Sequence, residues 1–120
     1  MSNIRVELAR EFMFGDDVVL LAMDGIGLDL FLELLQEAML KGRSRLEHQG
    51  VSHDVVIEAI GSSVDMADRH ITWRFNSATA NEVVDYLTAL RSSNRPGHQY
   101  VDISEPTDTL VLSLDEYMAK

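Results

Sequence analysis

The chain has 120 residues and a formal net charge of −10, because twenty acidic residues stand against ten Lys and Arg. This length predicts one domain around a single core, and an apolar fraction of 46% is typical of a globular protein rather than a disordered one. The negative charge disfavours nucleic acid and anionic membrane as partners, and the lack of cysteine excludes disulfides and thiolate metal sites.

No signal peptide is predicted at the amino terminus. It begins Met-Ser-Asn-Ile-Arg and lacks a basic segment followed by an apolar run. Every apolar stretch falls far short of the ~20 residues that a membrane-spanning helix needs. We therefore expect a cytoplasmic protein that does not associate with membranes.

The first elements in chain order are two strands. Residues 4–14 alternate between apolar and polar side chains, which favours a strand, although the same apolar residues also fit one face of a helix. Gly15-Asp16-Asp17 is a turn signal, and it leads into the continuous apolar run Val18–Met23, which is typical of a buried strand.

The first helix is predicted over Leu28–Leu40, with Asp24 or Gly27 as its cap and Gly42 as its terminator. The Gly-x-Gly before it resembles a phosphate-binding turn. Leu30 occupies the place of the third glycine, however, so we expect no phosphate site.

Two leucines of this helix do not belong to its apolar stripe. Leu30 and Leu34 lie outside the stripe or at its edge, which suggests a contact between two copies of the chain. The stripe itself consists of Leu28, Phe31, Leu32, Leu35 and Met39.

Two further strands are predicted at Ser44–His48 and Val55–Ile60, followed by a polar connector over residues 61–68. If Val55–Ile60 is an edge strand, it lacks the Lys or Pro that would protect it. It is then a second candidate for pairing between copies.

The rest of the chain repeats this order. A strand at Ile71–Phe75 would place Trp73 and Phe75 in the core, and a helix over Thr79–Arg91 would begin at a capping box of Thr79 and Glu82. Two last strands are predicted at His98–Ile103 and Thr109–Leu114.

Residues 18–60 and 70–115 therefore read as two copies of a β-α-β-β unit. Val19, Leu21 and Met23 align with Ile71, Trp73 and Phe75, and at a longer offset Leu46 and Ile57 align with Tyr100 and Val111. The predicted fold is one α+β domain over residues 1–120, with a mostly antiparallel sheet of about seven strands and both helices on one face.

No catalytic or metal-binding motif is present. The four histidines lack the spacing of metal ligands, so no metal and no cofactor are predicted. His98 and Asp102 would lie on one face of a strand, with Ser113 on the neighbouring strand. Because no nucleophile elbow accompanies them, we predict a protein that is not an enzyme. A small-molecule-binding or enzymatic α+β domain remains an alternative.

The acidic residues are unevenly distributed, and their clusters are the candidate protein-binding surface. The stretch from Gly97 to Ala119 contains five acids and no base, and the first hairpin turn adds two more. These candidates are Asp102, Glu105, Asp108, Asp115, Glu116, Asp16 and Asp17.

The second copy resembles small acidic immunity proteins of bacterial polymorphic toxin systems. The resemblance covers about 45 residues and rests on the helix Asn81–Leu90, the strand His98-Gln-Tyr-Val-Asp102 and the closing apolar strand Thr109–Ser113. It implies a non-enzymatic protein that binds and neutralises a toxin, often a basic nuclease, and it carries over no site residues. The alternative is a homodimeric structural or regulatory module, so the expected partner is a basic protein or a second copy.

Overall fold

A computed structural model describes residues 3–117, apart from the side chain of Met13, so residues 1–2 and 118–120 of the predicted domain lie outside the described residues. Within this range the chain forms eight strands and two helices. Their bounds are β1 Ile4–Met13, β2 Asp16–Met23, α1 Gly25–Lys41, β3 Arg43–His48, β4 Val51–Glu58, β5 Ser63–Ala67, β6 His70–Asn76, α2 Ser77–Ser93, β7 Gly97–Asp102 and β8 Thr109–Leu114.

The strands form two four-stranded sheets. Sheet A has the order β1-β2-β8-β7, and sheet B has the order β3-β4-β6-β5. In each sheet two antiparallel hairpins meet through one parallel pair, β2 with β8 or β4 with β6. The predicted α+β class with two helices and a mostly antiparallel arrangement is confirmed, with the strands divided between two sheets.

The chain consists of two halves with the same ββαββ order, residues 4–58 and 63–114. Each sheet takes the first hairpin of one half and the second hairpin of the other. The repeat is longer than the predicted units 18–60 and 70–115, because each half begins with a strand that those units omit.

The helices show the equivalence of the halves most directly. Both have 17 residues, and the side chain of Asp24 caps α1 as that of Asn76, 52 positions later, caps α2. Each cap accepts a hydrogen bond of 2.8 Å from a backbone N–H three residues on. Asp24 was a predicted cap, but the capping box at Thr79 is wrong, since Asn76 takes that place.

The last strands of the two halves are offset by more than the helices. Val19 pairs with Leu110, and its equivalent Ile71 pairs with His53. His53 therefore corresponds to Leu110, an offset of 57 positions. The predicted alignment of Ile57 with Val111 is wrong. Its offset differs from the observed one by an odd number of residues, so the two side chains lie on opposite faces of their strands.

One core lies between the helices and the inner faces of both sheets. Trp73 is fully buried at its centre, as predicted, and its ring contacts Phe31 edge-on at 5.1 Å. Leu34 is only 4% exposed and belongs to this core, while Leu30 is half-buried against it. Leu34 is buried because α1 packs on both β3 and α2. It is therefore not exposed for the contact between copies that was predicted for these two leucines.

Two strand assignments are corrected. The predicted connector 61–68 contains β5, a short strand whose Val64 and Met66 point to the inner face. The prediction that the strand at residues 55–60 lies at a sheet edge is wrong. The corresponding strand, β4, lies between β3 and β6, and both of its edges are paired.

The outer face of sheet A carries a second, small apolar cluster of Val18, Leu20, Ala22 and Val111, with Phe12 packed beside it. The turn after β8 lies near this cluster, where the Tyr117 ring contacts that of Phe12. Neither helix in residues 3–117 is long and apolar enough to cross a membrane.

A close backbone contact fixes the start of α1 against β1. The carbonyl of Asn3 accepts a hydrogen bond from the N–H of Asp24 at 3.1 Å. A Cβ placed on Gly27 would lie 2.0 Å from the Asn3 oxygen, whereas a Cβ on Gly25 would meet nothing within 4 Å.

Gly27→Ala should therefore destabilise the protein by about 2–3 kcal/mol, because the backbone of Asn3 must move. Gly25→Ala is the matched control at the same helix end, and it should be neutral or slightly stabilising. Urea denaturation of both variants measures the difference, and equal stabilities would contradict this packing.

Candidate functional site

Five of the seven predicted acidic residues converge at one end of sheet A. Because β2 and β8 are parallel neighbours, the turn before β2 and the loop before β8 meet at the same end. They border a concavity of about 440 Å³ that is lined by Asp16, Asp17 and Asp108. We call this surface the acidic end, and it comprises Asp16, Asp17, Asp102, Glu105 and Asp108.

Most of this charge is uncompensated. Asp17 is the exception, since it accepts a hydrogen bond from the backbone N–H of Glu11 at 3.0 Å and lies 3.4 Å from the guanidinium of Arg10. Within residues 3–117, none of the other four carboxylates forms an ion pair. The acidic end therefore presents a negative potential to solvent.

Phe14 projects from the hairpin tip beside these acids. Its side chain is 100% exposed. The backbone of Phe14 has φ +52°, followed by Gly15 at +85°, between the paired residues Met13 and Asp16. Positive φ at both central positions is the pattern of a type I′ turn, which favours Asn, Asp or Gly at the first position.

A phenylalanine at this position is unfavourable on two counts. A side chain with a Cβ costs about 1 kcal/mol or more in the left-handed region, and the whole aromatic surface is left in water. Residues held in strained backbone conformations cluster at functional sites. Phe14 was not a predicted site residue, although a bulky residue directly before the turn glycine was the available signal.

Asp115 and Glu116, the other two predicted acids, lie at the opposite end of sheet A. They follow β8, whose six residues span about 20 Å. They therefore do not belong to the acidic end.

Glu116 instead holds a polar network on the outer face of sheet A. One of its carboxylate oxygens accepts a hydrogen bond from the Ser113 hydroxyl and one from Nδ1 of His98, both at 2.9 Å. Nε2 of His98 is hydrogen-bonded to the Tyr100 hydroxyl at 3.1 Å. His98 thus pairs with Glu116 rather than with Asp102.

This network is not arranged as a nucleophile and its base. Ser113 lies on the neighbouring strand, as predicted, and the register places it opposite His98. Its hydroxyl donates to the carboxylate, however, and its side chain is fully buried. Both ring nitrogens of His98 are occupied. The network fastens the turn after β8 to the sheet, together with a hydrogen bond from Arg5 to the backbone oxygen of Tyr117.

His53 is a buried histidine on the inner face of sheet B. It is 2% exposed, and its Nδ1 accepts a hydrogen bond of 3.3 Å from the indole N–H of Trp73. Burial, with smaller contributions from His48 and His70, lowers the pKa of His53 to about 4. Among residues 3–117, no group of three or more His, Asp or Glu side chains is placed to hold a metal ion.

The depressed pKa of His53 predicts a loss of stability in weak acid. An unfolded histidine takes up a proton below pH ~6.5, whereas folded His53 does so only near pH 4, so stability is full above ~6.5 and falls as the pH drops between these values. Between pH 7.5 and 5 this contribution amounts to about 2 kcal/mol.

Urea denaturation at both pH values measures the change. In His53→Leu this contribution should be absent, whereas His98→Gln, which removes an exposed histidine, should retain it. A loss of equal size in wild type and His53→Leu would contradict the assignment.

Comparison of the chain with protein-family models, with curated proteins and with solved structures finds no match. The geometry described above is therefore the basis for assigning a function.

Proposed function

We propose that this chain is a non-enzymatic, cytoplasmic binding protein that docks the Phe14 hairpin and the acidic end on a basic protein partner. The observation that carries the proposal is the fully exposed, strained Phe14 directly beside Asp16 and the concavity that Asp108 lines. The partner that fits this surface best is a toxin whose cationic substrate cleft the chain occludes.

The two parts of this surface make different contributions to binding. An aromatic side chain that enters a pocket of the partner loses its contact with water, and such aromatic anchors dominate the energy of many interfaces. The surrounding carboxylates accelerate association with a positively charged surface and disfavour partners of the wrong charge. All of them except Asp17 lack ion pairs within residues 3–117, which leaves these four free to act in this way.

A nuclease is a fitting target because its substrate-binding cleft must be basic to hold phosphates. A protein of net charge −10 whose acids gather at one end is complementary in charge to such a cleft. The resemblance of the second copy to immunity proteins agrees with this role, since the loop between its last two strands supplies Glu105 and Asp108 to the surface.

The homodimer alternative has less support. Of its two proposed contacts, Leu34 is buried in the core and the strand at residues 55–60 is paired on both sides. No comparable contact between copies follows from these residues.

Phe14→Asn separates the proposed binding role from any role in folding. Asn is favoured in the left-handed turn position, so the variant should be more stable than wild type by about 0.5–1 kcal/mol in thermal or urea denaturation. Its affinity for the partner should nevertheless fall at least tenfold, because the anchor is lost. Unchanged affinity in the stabilised variant would exclude Phe14 as an anchor.

Charge reversal tests the acidic end. Asp16→Lys with Asp108→Lys should slow association at least tenfold, because both exposed carboxylates face the partner. Glu82→Lys with Asp85→Lys is the matched control, since it changes the net charge equally on the exposed side of α2. The double variants are compared as baits for capture from the source organism, followed by binding kinetics at low and high salt.

The toxin assignment needs a further readout. The captured protein should be basic and should arrest growth when expressed alone, and co-expression of the wild-type chain, but not of the Asp16/Asp108 variant, should restore growth. A captured partner that is harmless to cells would retain the binding role but refute the immunity role. Equal capture by both double variants would refute the acidic end as the interface.

A further inference from the structure

A cleft of about 290 Å³ lies between β1 of sheet A and the facing end of sheet B, at the opposite end of β1 from Phe14. Its walls are mostly apolar. Polar groups come from Arg5, His53 and the β5–β6 turn at Asp68 and Arg69. The apolar lining includes Ile4, Val6, Val51, Met66 and Ile71.

The cleft lies where the two halves of the chain differ in the length of a loop. In the second half the N–H of Val64 donates to the carbonyl of Glu105, and the N–H of Ser104 donates to that of Ser62, so the long β7–β8 loop covers the start of β5. In the first half the β3–β4 turn has two residues, Gln49 and Gly50. This turn contacts Asn3, directly before β1, through hydrogen bonds with the Gln49 side chain, and the space beside Ile4 and Val6 stays open.

His53 supplies a hydrogen-bond donor to this space. Its Nδ1 accepts from Trp73, so the proton of the neutral ring is on Nε2. Within residues 3–117 Nε2 forms no hydrogen bond, and His53 lines the cleft. Nε2–H is therefore the donor that His53 offers to a ligand there.

Arg69 supplies a positive charge at the edge of the cleft. It lies in the turn with φ +57°, and its guanidinium extends over the β3–β4 turn, 3.2 Å from the position that a Cβ on Gly50 would occupy. Within residues 3–117 this guanidinium forms no ion pair, whereas that of Arg5 is held by the Tyr117 carbonyl and Glu7.

We propose that this cleft binds a small aliphatic carboxylate, whose hydrocarbon part contacts Ile4, Val6 and Met66 and whose carboxylate is bound by Arg69 and by Nε2–H of His53.

The dimensions and charges of the cleft decide this class. A volume of about 290 Å³ is at the lower limit of ligand sites, which favours a molecule of a few carbons. Apolar walls with a few convergent polar groups fix the orientation of such a ligand. Asp68 opposes an anion, whereas the guanidinium of Arg69, which forms no ion pair within residues 3–117, and Nε2–H of His53 favour one.

The single tryptophan of the chain provides a direct readout. Because the Trp73 indole N–H donates to His53, a ligand on the far side of the His53 ring should shift the indole resonance. The experiment is an NMR titration of the full chain with 3-methylbutanoate to 20 mM, at pH 7.5 and constant ionic strength. The expected result is a saturable shift with a dissociation constant of about 1 mM, reasonable for seven non-hydrogen atoms.

Two comparisons test the roles of the anion and of Arg69. The neutral 3-methylbutanamide should bind at least fivefold more weakly than the acid. Arg69→Gln should weaken binding of the acid at least fivefold, whereas Arg95→Gln, which removes an exposed arginine outside the cleft, should change it less than twofold.

Absence of a saturable indole shift, or equal binding of the acid and the amide, would overturn the site. Equal affinities of Arg69→Gln and wild type would also overturn it. The Phe14 and Asp16/Asp108 variants should bind 3-methylbutanoate normally, so this proposal and the proposed function can fail independently.

Discussion

The parallel pairing of β2 with β8, and of β4 with β6, is the constraint on which the rest of the structure depends. Within each half the helix separates the two hairpins, and neither hairpin pairs with the other of its own half. Each sheet is therefore completed only by the opposite half, and both helices pack into one shared core. Because neither half can form a complete sheet alone, the two halves should fold as one cooperative unit.

This pairing also decides where the loops lie. Parallel neighbours begin at the same end of a sheet, so the turn before β2 and the loop before β8 meet, although about 90 residues separate them. The longer β7–β8 loop brings Glu105 and Asp108 to the acidic end and covers the start of β5. The shorter β3–β4 turn of the first half contacts the residue before β1, Asn3, through the Gln49 side chain, and the cleft beside Ile4 and Val6 stays open. Both candidate sites thus lie where the two halves differ in loop length.

Local sequence patterns predicted the helices and strands better than they predicted which strands pair. Helical periodicity located α1 and α2, and Gly42 was identified as a C-cap. β5 was missed because it has five residues, of which only Val64 and Met66 face inward. The division into two sheets depends on long-range pairing that no local pattern contains. The separation of Asp115 and Glu116 from Asp108, in contrast, already follows from the predicted strand Thr109–Leu114 between them. Leu34 was misplaced because α1 packs on two neighbours, which widens its buried face.

Two residues, His53 and Phe14, are not the ones that the equivalent half or the local backbone conformation would favour at their positions. His53 occupies a place where the equivalent residue is Leu110, and a leucine there would bury without the desolvation penalty of an imidazole. Phe14 occupies a turn position at which Asn or Gly would relieve strain. Phe14 therefore makes the fold less stable than an available alternative would, whereas His53 offsets part of its desolvation penalty by accepting a hydrogen bond from the buried indole N–H of Trp73. Each of the two residues lies beside a concavity. Local choices that oppose the fold without compensation within it are expected where a sequence serves binding instead of stability.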